Sequence, residues 1–181
     1  MSSLSRRVCT HALAVMALSL PATVKAQQSD ADLKAVSATT LTMPKYKQYL
    51  DATVNLANVA AKNPGLAEGM KDGGEKSIDE QVKMLESKPQ VKAAVTSTGL
   101  STRDYVLTQW ALLQTGMAYA MTKQTGASQE DMIKQAGVSK ANMDFYAKNE
   151  AEINKLAEEA KARTPAMPDD DDEDAGDDTG E

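Results

Sequence analysis

Eighteen consecutive residues, from Tyr105 to Thr122, carry no charge. Within them Tyr105, Val106, Leu107, Trp110, Leu112, Leu113, Met117, Tyr119 and Met121 spread over most of a helix circumference at 3.6 residues per turn. A helix apolar on nearly every side must either cross a membrane or be surrounded by protein. Thr108, Gln109, Gln114 and Thr115 interrupt the run, whereas a bilayer span wants ~20 predominantly apolar residues. The expectation is therefore a central apolar helix at about 102–123, enclosed by other helices, with Gly116 leaving room for a neighbour to approach closely.

The surroundings supply such helices, each announced by a cap. Apolar residues recur at three and four, not in alternation, so the chain reads as all-α. A long helix at about 44–62 opens at Thr42 with Pro44 in its first turn and stops at Asn63-Pro64-Gly65. Its apolar stripe is Tyr46, Tyr49, Leu50, Thr53, Val54, Ala57, Ala60 and Ala61. Ser77-Ile-Asp-Glu80 is a capping box that starts a short helix with Val82 and Leu85 inward. Ser87-Lys-Pro-Gln90 caps another, ending by Gly99, with Val91, Ala94 and Val95 buried. Ser101 caps the central helix, where Leu100 and Tyr105 pair as a hydrophobic staple. Ser128 caps a short helix ending at Gly137, with Met132, Ile133 and Ala136 inward; Ser139 opens the last long helix, to about 163. The fold expected is a single small helical bundle of three long and three short helices over 41–164, preceded by a flexible segment at 27–40.

Leu41-Thr42-Met43-Pro44 and Gly99-Leu-Ser-Thr-Arg-Asp-Tyr-Val-Leu107 together resemble a group of small exported bacterial all-helical proteins of uncharacterised function. The similarity spans roughly 41–157 and rests on helix starts. It implies export and a helical fold, and it brings no activity, cofactor or site residue.

Export is also legible in residues 1–26. Arg6 and Arg7 precede the apolar run Ala12 to Leu20, then Pro21 and Val24-Lys25-Ala26, which is the layout of a signal peptide cleaved near Ala26. The run is about half the length of a bilayer span. Periplasmic or secreted localisation follows, with no transmembrane helix in the mature chain. Cys9 and His11, the only cysteine and histidine, both fall in this segment. Cleavage would leave a chain unable to build Ser-His-Asp or Cys-His catalysis, Cys/His zinc sites, haem attachment or disulfides. No cofactor is expected.

Net charge sharpens the partner classes. The total of −6 is an average over unlike pieces: residues 27–168 hold seventeen basic and seventeen acidic side chains, while 169–181 hold nine acids and no base. A neutral body with an acidic tail lacks the basic patch that nucleic acid requires. The tail, 165–181, has nothing to bury and is expected to be disordered. Asp170, Asp172, Asp174, Asp178 and Glu181 fall at five calcium-loop positions, but Ala175 stands where the loop needs glycine. Weak association with divalent cations is the expectation there, without an ordered metal site.

Candidate binding residues are the aromatics of the central helix, Tyr105, Trp110 and Tyr119, which would line an apolar pocket between helices if they are not simply core. Met117 and Met121 lie one turn apart, a spacing compatible with copper(I), yet they lack a histidine or cysteine to complete a site. The connector at 63–76 is glycine-rich without a phosphate-binding pattern. No acidic pair falls on an otherwise apolar segment, so no catalytic residue is nominated. The reading is a non-enzymatic exported helical protein that binds an envelope protein or a small apolar ligand. The alternatives are a carboxylate-dependent hydrolase, which needs two carboxylates ~5 to 10 Å apart in a cleft, and an acidic solubility or holdase-type protein.

Overall fold

A computed structural model describes residues 29–63, 65, 66 and 76–165. The signal segment with Cys9 and His11, most of the 63–76 connector, and the acidic tail from residue 166 lie outside the described residues. Among those described there are seven helices and no strand: α1 (Asp30–Ala38), α2 (Met43–Lys62), α3 (Ile78–Glu86), α4 (Pro89–Thr96), α5 (Thr102–Thr125), α6 (Gln129–Ala136) and α7 (Lys140–Ala162). The longest are α2, α5 and α7, with 20, 24 and 23 residues.

Local chemistry sets most of the boundaries. Ser101, Ser128 and Ser139 each accept the backbone N–H three residues on, and Ser77 with Glu80 forms the reciprocal capping box. Gly126 and Gly137 end α5 and α6 in the left-handed region, at φ 70° and 68°, where a side chain would be strained. Ser87 differs from expectation. It belongs to the end of α3, donating to the Met84 carbonyl at 2.7 Å, while Lys88 is the cap of α4 and makes no side-chain cap bond. Pro89 at the first helical position already lacks one of the N–H groups that a cap would satisfy.

The larger difference is α1, which occupies the described part of the segment expected to be flexible. Ser29 caps it by accepting the Asp32 N–H, and Val36 is 1% exposed. Its C-terminal end is fixed from far away by Asn142, whose Oδ1 accepts from Leu41 N at 2.9 Å and whose Nδ2 donates to Thr39 O at 2.8 Å.

α5 packs against every other described helix. Its N-terminal half is enclosed: Thr102, Tyr105, Val106, Thr108, Trp110, Ala111 and Leu112 are all buried. Enclosure then fails on one side, with Leu113, Met117 and Met121 left 40%, 49% and 45% exposed. α2 also departs from a single stripe. It buries Ala52 and Leu56 as well as Tyr46 and Val54, because it is wedged among α4, α5 and α7. In α3 the inward face is Ile78, Gln81 and Leu85, with Val82 only half-buried. No described helix is long and apolar enough to cross a membrane.

Candidate functional site

The three aromatics singled out from the sequence do not meet in one pocket. Positions nine apart on a helix point about 180° away from each other, and fourteen residues rise about 21 Å, so Trp110 opposes Tyr119 while Tyr105 lies far below it. Trp110 is in the core and donates its indole N–H to Gln81 Oε1 at 3.3 Å; Gln81 Nε2 in turn donates to the Lys76 carbonyl at 2.8 Å. Tyr105 stacks on Tyr49 with ring centroids 5.2 Å apart, and its hydroxyl meets Thr53 Oγ1 at 3.3 Å. Burial raises the pKa of both phenols. Their polar atoms are thus occupied inside the protein.

Tyr119 stands at a surface instead. α6 and α7 both pack on α5: Tyr146 of α7 meets Leu112, and one turn further along α7 Glu150 meets Tyr119 and Lys123. Between the two long helices lies an open groove of about 500 Å³. Gly116, Tyr119, Ala120, Lys123, Tyr146, Glu150 and Ile153 are among its lining residues.

Gly116 makes this crossing possible. A Cβ there would stand 2.9 Å from the Tyr146 hydroxyl, so the glycine admits the phenol, which donates to the Leu112 carbonyl at 3.1 Å. The Tyr119 and Tyr146 rings then lie 6.0 Å apart. Along the rim, Glu150 accepts from Lys123 Nζ at 2.6 Å and from the Tyr119 hydroxyl at 3.1 Å. Lys123 also sits 5.6 Å over the Tyr119 ring. The bonds from Lys123 and Tyr119 hold the Glu150 carboxyl below its ordinary pKa; the same bond holds the Lys123 ammonium above its own. The cluster is charge-balanced and exposed, so it orders the rim more than it stabilises the fold.

Flanking the groove on the same half of α5, Leu113, Met117 and Met121 form a ladder at four-residue spacing. Gln124 lines the groove beyond it and Gln109 is exposed one turn earlier. Apolar contact area and a tyrosine-lined groove therefore adjoin on one helix. A second groove of about 390 Å³, between α2 and α7, is of another kind: Lys47, Asp51, Glu159 and Arg163 surround Leu50 and Leu156, and Arg163 pairs with Asp51 at 2.9 Å.

No cluster of three or more His, Cys, Asp or Glu suited to a metal ion occurs among the described residues. Thr108 Oγ1, Thr115 Oγ1 and Asp32 Oδ2 are buried without a hydrogen-bond partner among them. The fold and this surface define a small all-helical protein in which, among the described residues, one apolar helix face stays about half exposed. Compared with protein-family models, with curated proteins and with solved structures, the chain matches none.

Proposed function

We propose that this chain is an exported, non-enzymatic helical binding protein of the bacterial envelope, and that it docks a protein partner on the Leu113–Met117–Met121 ladder and the adjoining groove. The observation that carries the reading is the exposed side of the C-terminal half of α5. The helix that packs on every other described helix nevertheless leaves three large apolar side chains about half in water, and methionine-rich surfaces adapt readily to a partner.

Openness favours a protein over a small ligand. A small-molecule site typically encloses about 70–90% of its ligand, whereas this groove is open to solvent, with Ala120, Lys123 and Gln124 exposed at its edge, and neither groove is lined by Trp110 or Tyr105. The ladder alone falls well short of the ~800 Å² per partner of a standard interface, so the partner engages the groove too and exchanges readily. Export rests on the signal-like first 26 residues and on the resemblance to small exported bacterial proteins.

The test is co-purification from the native envelope, comparing the full chain with a Leu113→Ser/Met117→Ser/Met121→Ser variant. The reading expects a protein retained by the first and released by the second. A small apolar molecule extracted equally from both would refute it.

A further inference from the structure

We propose that Met117 and Met121 form a paired oxidation site, through which a peroxide converts the apolar ladder on α5 into a polar one. The consequence for docking rests on the function proposed above; the selectivity of oxidation does not.

The geometry separates the described methionines into classes. Met132 and Met143 are 4% and 0% exposed, and Met43 and Met84 are half-buried against the main core. Met117 and Met121 alone among them present about half of their surface to water, one helical turn apart on the same side. Thioether oxidation follows access of the oxidant to sulfur. The sulfur lone pair attacks one peroxide oxygen, the S–O bond forms as the O–O bond breaks, and the proton on the transferred oxygen passes to the departing hydroxide, leaving a sulfoxide and water. Sulfur loses two electrons and the peroxide gains them, so no further reactant is needed.

Two sulfoxides at this spacing would replace two thirds of the ladder with strong hydrogen-bond acceptors. The change falls outside the buried core, because Leu113, Met117 and Met121 are about half exposed and belong to neither core cluster. Oxidation at Met132 or Met143 would act differently, since a sulfoxide buried there disrupts packing.

The full chain is treated with hydrogen peroxide, and sulfoxide formation is followed residue by residue by peptide mass spectrometry. Binding of the apolar dye ANS is read in parallel. The expected result is oxidation of Met117 and Met121 at least about tenfold faster than of Met132 and Met143. A fall in ANS fluorescence of about twofold should accompany it in the wild type and be absent in Met117→Leu/Met121→Leu. Comparable rates at all four sulfurs would overturn the site. Selective oxidation with unchanged ANS fluorescence would overturn the switch from apolar to polar. If the reduced protein binds no ANS at all, the docking surface itself fails, and the rate comparison still decides the oxidation site.

Discussion

Asn142, in the first turn of α7, accepts the backbone N–H of Leu41 at 2.9 Å although the two are 101 residues apart in the chain. Its amide nitrogen completes the grip on Thr39 O, so one buried side chain fastens the α1–α2 connection to the last helix. Asn142→Ala removes a partner from each of two backbone groups, and leaving a buried group unpaired costs about 1–3 kcal/mol. The variant should lose about 2–4 kcal/mol in urea unfolding and become cleavable near Thr39 in limited proteolysis.

Gly116 and Tyr146 should be energetically coupled. Alanine at an exposed helix position gains about 1 kcal/mol over glycine, but here its Cβ would meet the phenol at 2.9 Å and drive it off the Leu112 carbonyl. Gly116→Ala is therefore expected to destabilise by about 1 kcal/mol, and to be neutral or stabilising in a Tyr146→Phe background. A double-mutant cycle by chemical denaturation measures the coupling.

Thr108 and Thr115 are buried, and their hydroxyls have no partner among the described residues. Valine keeps the branched shape and discards the oxygen, so Thr108→Val and Thr115→Val should each raise stability, by up to about 1 kcal/mol. A rise in the denaturant midpoint without a change in slope is the outcome to look for.

Alkaline pH should weaken the fold before Tyr46 and Tyr146 ionise. Burial pushes the phenols of Tyr46 and Tyr146 up from 10.0 to about 12. Because the folded pKa is the higher one, the unfolded chain releases these protons first. The contribution is whole below pH 10, erodes between pH 10 and 12, and is gone above that window. Unfolding at stepped pH, with tyrosinate absorbance followed in parallel, checks both the window and the sign.

How much of this was legible depends on the range of the interactions. The Ser77, Ser101, Ser128 and Ser139 caps act over three residues, so short spacing in the sequence is sufficient to locate them. α1 was not legible because its anchor, Asn142, lies 101 residues beyond Leu41 and reads as an ordinary polar residue in a first turn. Gln81 escaped for the same reason: a glutamine looks solvated until Trp110 is found above it. The aromatic candidates share one helix, yet the rotation between Trp110 and Tyr119 sends them to opposite sides. Leu113, Met117 and Met121 were assigned to the enclosed helix because periodicity reports apolarity and not cover. Only the folded chain shows that Leu113, Met117 and Met121 stay about half exposed among the described residues.

The central claim is that this uncovered face is where a partner sits. The most direct measurement places a photo-crosslinking amino acid at Met117, and in a control at exposed Lys134 on α6, with irradiation in the native envelope. A discrete adduct with one protein from position 117, absent from position 134, is the predicted result; equal adducts from both positions, or none from 117, would contradict it.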